Sequence, residues 1–142
     1  MQERRTAEAG TKRRSFTDLT REALERHFTE ARTPEAHWSG KPNLGWVRYR
    51  GPDGRYVFIA LRRHLNWVTG EIGIARTAVE LEELDLKAAP EPGTSYRVRL
   101  GDLMHDEDKW WPAGDNEKDL VDRLEMLVLQ MRVKVEKFFR GK

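Results

Sequence analysis

Residues 46 to 61 constrain the fold more than any other stretch of the chain. Side chains alternate in character through Trp46-Val47-Arg48-Tyr49-Arg50, the run breaks at Gly51-Pro52-Asp53-Gly54, and β-favouring residues resume from Tyr56 through Leu61. Two such runs around a glycine and proline turn predict a β-hairpin. A lone hairpin is marginal in water, so it calls for further strands or a covering helix. A second turn near His64 to Asn66 leads into Trp67 to Ile74, a third antiparallel strand in which Gly70 and Gly73 suggest either a bulge or a closely covered surface. The stretch Tyr96-Arg97-Val98-Arg99-Leu100 alternates again and predicts a fourth strand with one wet face.

Helical periodicity brackets these strands. Ser15 with Asp18 forms a capping-box pattern, and Phe16, Leu19, Ala23, Leu24, Phe28 and Ala31 recur at helical spacing, which predicts a helix from about Phe16 to Arg32. Thr33, Pro34, Ser39, Gly40, Pro42 and Gly45 then read as a loop. Thr77 can cap a short acidic helix through about Leu86, ended by Pro90-Glu91-Pro92-Gly93. Asp115 or Asn116 can cap a last helix with Glu117 and Asp119 in its first turn and Lys134, Lys137 and Arg140 near its end, as the helix dipole favours. Its stripe of Leu120, Leu124, Leu127, Met131, Val135 and Phe138, widened by Val121, Val128 and Phe139, suits a helix lying across a sheet. The fold class expected is α+β, an antiparallel meander of about four strands packed against an N-terminal helix and a long amphipathic C-terminal helix. Residues 15–142 read as one such domain, and residues 1–14, which lack apolar periodicity, as a disordered basic tail.

Charge and composition exclude some classes of function. The chain has no cysteine, so disulfides, thiolate zinc sites and cysteine nucleophiles are absent, and a cytoplasmic address is the expectation. No apolar run approaches the ~20 residues that cross a bilayer, and MQERRTAEAG offers no apolar segment after its arginines, so neither export nor membrane insertion is expected. Of the net charge of +2, +3 lies in residues 1–14 and +4 in residues 132–142, which leaves −5 between them. The pI near 9.0 therefore implies no continuous basic face.

Few residue groups can carry chemistry. Ser15, Ser39 and Ser95 lie in a cap and two loops, without the sharp-turn motif of a hydrolase nucleophile. No phosphate-binding loop or dinucleotide fingerprint occurs, and no cofactor is expected. His27, His37, His64 and His105 are scattered without ligand spacing, and Asp106-Glu107-Asp108 lacks the glycine and distal glutamate of a calcium loop, so no metal is expected. Glu71 reads as an exposed arginine partner, or as an acid or base if buried beside Asp102. Arg97, Arg99, Asp102, Asp108, Trp110 and Trp111 form the most distinctive cluster: it could grip a phosphate, a sugar ring or a partner side chain, or simply lock its own loop. Arg48, Arg50, Arg62 and Arg63, with Arg55, Trp46, Tyr49 and Tyr56 nearby, are the ingredients of a single-strand platform. Alternation places Trp46, Arg48 and Arg50 opposite Val47 and Tyr49, on what should be the solvent side of the sheet.

The order of an Arg97-Val98-Arg99-Leu100-Gly101 strand, an Asp108-Lys109-Trp110-Trp111 loop and a closing helix resembles a family of bacterial domains of unknown function. The resemblance spans about Trp46 to Phe139. It implies a fold but no residue roles. Three functional expectations stand. The first is a non-enzymatic protein-binding module from a bacterium or phage, of inhibitor or immunity type, whose partner is another protein. The second is nucleic-acid binding through Arg48, Arg50, Arg62, Arg63 and the basic termini. The third is a small hydrolase or transferase using Arg97, Arg99, Asp102 and Asp108, with Glu71 in support. Oligomeric state is not legible.

Overall fold

The computed structural model describes residues 14–140. Helix α1 (Phe16–His27) opens with the expected capping box, in which the Ser15 hydroxyl accepts from the Asp18 N–H at 3.1 Å and the Asp18 carboxylate accepts from the Ser15 N–H. It is shorter than expected. Phe28 turns extended and fully buried, and Thr29–Arg32 continues as a 3-10 turn, so the apolar spacing through Ala31 spans two elements. Of the stretch read as a tail, only Arg14 lies among the described residues, where it pairs with Glu22 and Glu117.

Strands β1 (His37–Lys41), β2 (Leu44–Arg50), β3 (Tyr56–His64) and β4 (Trp67–Ala75) form an antiparallel meander. The central hairpin closes where expected, with Arg50 opposite Tyr56. The 33–45 loop contains β1, an edge strand whose Ser39 and Gly40 hide it from pattern reading; it turns into β2 through Pro42 and Asn43. The acidic helix expected over 77–86 is replaced by a 3-10 turn at Leu81–Glu83 and a two-residue strand, β5 (Leu86–Lys87). Strand β6 (Tyr96–Arg99) pairs with β4 and, in parallel, with β5. The chain then makes a short helix, α2 (Leu100–His105), which Asp106 ends in the left-handed conformation, and β7 (Trp111–Pro112) returns to the start of β4. β6 and β7 thus divide one edge of β4: Glu71 to Ile74 face β6, while Trp67 and Val68 face β7. Among the described residues the sheet therefore has seven strands and is mixed, against the expected antiparallel four.

Helix α3 (Glu117–Arg140) is capped by Asn116, whose side-chain oxygen accepts from the Asp119 N–H at 2.9 Å. No described helix is long and apolar enough to cross a membrane. The stripe of α3 and the apolar face of α1 cover one side of the sheet, where Val47, Ile59, Leu61, Ile72 and Val98 meet Leu24, Leu124, Leu127 and Met131. Arg26 and His27 of α1 reach Glu125 and tie the two helices together.

The second side of the sheet is covered too, which corrects the expectation of a solvent-facing arginine surface. Leu81 and Leu84 lie over Leu44, Trp46, Phe58, Ala60 and Ala75 in a smaller core. Trp46, expected on the wet side with Arg48 and Arg50, is buried. The two glycines of β4 match this sandwiching. A Cβ on Gly70 would stand 2.7 Å from the Met131 sulfur of α3, and one on Gly73 would stand 2.7 Å from the Leu84 Cδ1 on the opposite side. β4 is covered closely on both faces, which is the second of the two readings its glycines allowed.

Candidate functional site

Strand parity builds the polar part of the second face. Glu71 of β4 stands between Ala60 on β3 and Arg99 on β6, and Arg62 and Arg97 point to the same side from two positions further along their strands. The Glu71 side chain is 0% exposed. Each of its oxygens accepts two hydrogen bonds. Oε2 accepts from Arg62 Nε at 2.8 Å and Arg99 Nε at 3.1 Å; Oε1 accepts from Arg97 Nη1 at 3.0 Å and Arg62 Nη2 at 3.3 Å. Burial pushes the Glu71 carboxyl up, but the hydrogen bond and charge of Arg62, the charge of Arg97 and the hydrogen bond of Arg99 outweigh it and hold the group below its ordinary range. Glu71 is thus the ionised hub of an arginine trio, not the exposed partner expected.

The sequence cluster is divided by this arrangement. Arg99 donates to Glu71 and, at 2.7 Å, to Asp108, and its guanidinium lies 5.1 Å from the Trp110 ring centroid. Arg97 donates to Glu71 and to the Leu84 carbonyl. Trp110 therefore sits on the polar side of the sheet, edge-on to His64. Trp111 turns the other way into the main core. Asp102, half-buried on α2, has its carboxyl held above the usual range by burial and then by the charge of Asp108, with Arg99 opposing. Among the described residues no three histidine or carboxylate side chains converge as metal ligands.

The arginines of the supposed nucleic-acid platform are engaged internally. Arg48 donates to the Val79 carbonyl at 2.7 Å, Arg50 to the Tyr56 hydroxyl at 3.0 Å, Arg62 to Glu71, and Arg63 to the Leu65 carbonyl at 3.0 Å. Arg50 also lies over the Tyr56 ring. These groups do not form one free cationic row.

Beside the trio lies an open groove of about 490 Å³. Lys41, Arg62, Arg63, His64 and Trp110 line it, with Glu82 the single carboxylate of the lining. Glu82 is shared by Lys41, at 3.6 Å, and Arg62, at 3.9 Å, and with Arg63 beside them the lining keeps a net positive charge. At one end of the groove is the β3–β4 turn, Leu65-Asn66, with His64 opposite Trp67. Leu65 is 78% exposed and Trp67 48% exposed. Leu65 also has φ = 54°, a left-handed backbone that glycine adopts freely and leucine does not.

The sequence pattern singled out Trp110, Arg99 and Asp108 and raised Glu71 as an arginine partner, but it showed neither this tip nor the gathering of three arginines on one buried carboxylate. The signals were present: a leucine where a two-residue hairpin turn favours glycine or asparagine, and a lone carboxylate in a strand otherwise apolar or small. Compared with protein-family models, curated proteins and solved structures, the chain has no match.

Proposed function

We propose that this chain is a protein-binding module that presents Leu65 and Trp67 to an acidic segment of a partner protein. The observation that carries this reading is Leu65. An apolar side chain is held in the solvent on a backbone that disfavours it, where glycine or asparagine would relieve the strain without loss to the core. Trp67 adds the aromatic area that anchors protein contacts, and the adjoining groove supplies positive charge for a partner's carboxylates.

The Arg99, Asp108 and Trp110 group then works from beneath. Glu71 and Asp108 hold the Arg99 guanidinium, the guanidinium backs the Trp110 ring, and that ring forms a wall of the groove. A surface set rigidly in advance loses less freedom on binding. The role this fits is that of an inhibitor or immunity-type factor, which acts by occupying another protein's surface. Membership of the uncharacterised bacterial family that the Arg97 to Trp111 order resembles belongs to the same proposal and brings no residue roles with it.

Affinity capture from an extract of the native host, with wild type beside the Leu65→Ser, Trp67→Ala double variant, tests the reading. A partner held by wild type, released as salt rises and lost with the variant is the expected result. Identical captured sets for the two baits, or retention that nuclease abolishes, would overturn it.

A further inference from the structure

A second cavity lies on the helical side of the sheet and shares no lining residue with the Leu65 surface. It occupies about 240 Å³ between the last turns of α3 and the β4–β6 end of the sheet. Ile72, Ile74, Tyr96 and Val98 form its floor, and Val135 and Phe138 form its helical wall. The charged side chains of the lining are Lys134 and Lys137, one turn apart on α3, and no carboxylate is among them. Among the described residues neither lysine is ion-paired to a carboxylate. Glu91, next to the lining residue Pro90, is taken by Lys87 at 3.7 Å. Arg55, with its guanidinium 5.3 Å from the Phe138 ring centroid, is paired with Asp53 at 2.6 Å, so among the described residues the unpaired cations at this cavity are the two lysines.

A greasy floor with uncompensated cations at its rim selects a molecule of matching polarity. We propose that this cavity binds a free monocarboxylate with a medium-length apolar tail, its chain on Ile72, Ile74 and Val98 and its carboxylate at Lys134 and Lys137. The volume, about 240 Å³, exceeds the roughly 150 Å³ of an apolar cavity that takes up benzene, which leaves room for such a tail. Burial of the chain's methylenes gives the apolar part most of the affinity, and the lysines give the choice of charge.

Octanoate is the probe, with octylamine as its charge-reversed control and methyl resonances of the full chain as the readout. Saturable shifts at Ile72, Ile74, Val98 and Val135 with octanoate, and weaker binding of octylamine, are expected. The Lys134→Gln, Lys137→Gln double variant keeps good helix formers on the helix and should bind octanoate about fivefold more weakly. Absence of saturation at millimolar octanoate, shifts confined to other methyl groups, equal binding of octylamine, or undiminished binding by the variant would each overturn the assignment. None of these outcomes depends on Leu65 or Trp67, so this site and the protein-binding surface stand or fall separately.

Discussion

Glu71 and Arg99 face each other directly across β4 and β6, and the Arg99 Nε donates to the Glu71 Oε2 at 3.1 Å on a side chain with no solvent exposure. This pair, completed by Arg62 and Arg97, joins three strands at their polar end. It also sets the orientation of Trp110 through the shared guanidinium.

Removing the charge of Glu71 while keeping its shape should therefore be expensive. Glu71→Gln leaves three guanidiniums facing a neutral amide, and a broken buried pair typically costs about 3 kcal/mol. The arginines keep some solvent contact, which puts the expected loss at the lower end of that effect. Arg97→Met should cost less, because two arginines still satisfy the carboxylate. Urea unfolding at neutral pH measures both, and a Glu71→Gln midpoint equal to that of wild type would refute the hub.

The same carboxylate gives stability a pH dependence of known sign. Its folded-state pKa is depressed below the ordinary 4.5, so its contribution is fully present above that value and is lost as pH falls through the folded pKa. Glu125 acts in the same direction, since the hydrogen bonds of His27 and Arg26 outweigh its burial. The difference between wild type and Glu71→Gln isolates Glu71: it should be constant from pH 7 to about 5 and shrink below 4.5. Urea midpoints across pH 3 to 7 give the curve, and a difference that grows on acidification would contradict the assignment.

Leu65 should show opposite effects on stability and binding. Leu65→Gly removes a left-handed leucine, whose strain is about 1 kcal/mol, and takes away no buried contact. Thermal unfolding should move upward while partner capture weakens. A variant that melts lower, or that captures the partner undiminished, would count against the tip as a presented side chain.

The covered faces of β4 make a further test. Gly73→Ala places a methyl group against Leu84 and Phe58, and overpacking of this kind costs about 1 to 3 kcal/mol. The loss should be smaller in a Leu84→Ala background, where the closest clash is gone and the tight contact with the Phe58 Cβ remains. Additive losses in the double variant would mean that Leu84 does not cover this strand.

The elements legible in the sequence are those whose signals are local. Ser15 and Asp18 close a reciprocal cap, the leucines of α3 repeat on one face, and Gly51 to Gly54 turns the hairpin. What escaped depends on distant residues. Leu81 and Leu84, three apart, suit a helix face as well as a segment laid flat over Trp46 and Phe58, and only the latter contact decides between them. Arg48 alternates as a solvent residue would, yet its guanidinium is taken up by Val79 over thirty residues away. β1 has no apolar signature because it is an edge strand, with His37, Gly40 and Lys41 exposed. The joint after β6 was visible as a charged and aromatic cluster. Its internal division was not, because Trp110 and Trp111 are neighbours in sequence and opposite in space.

The divided edge of β4 has a consequence for how the chain can vary. Because β6 and β7 dock at separate stretches of one strand, the residues from Leu100 to Trp110 are a detour between two moorings, and neither pairing register depends on the length of the detour. Extra residues beyond the exposed Asp106 would lengthen the excursion at little entropic cost while both moorings hold. That bend is where an insertion, natural or engineered, can enter the molecule without altering the sheet.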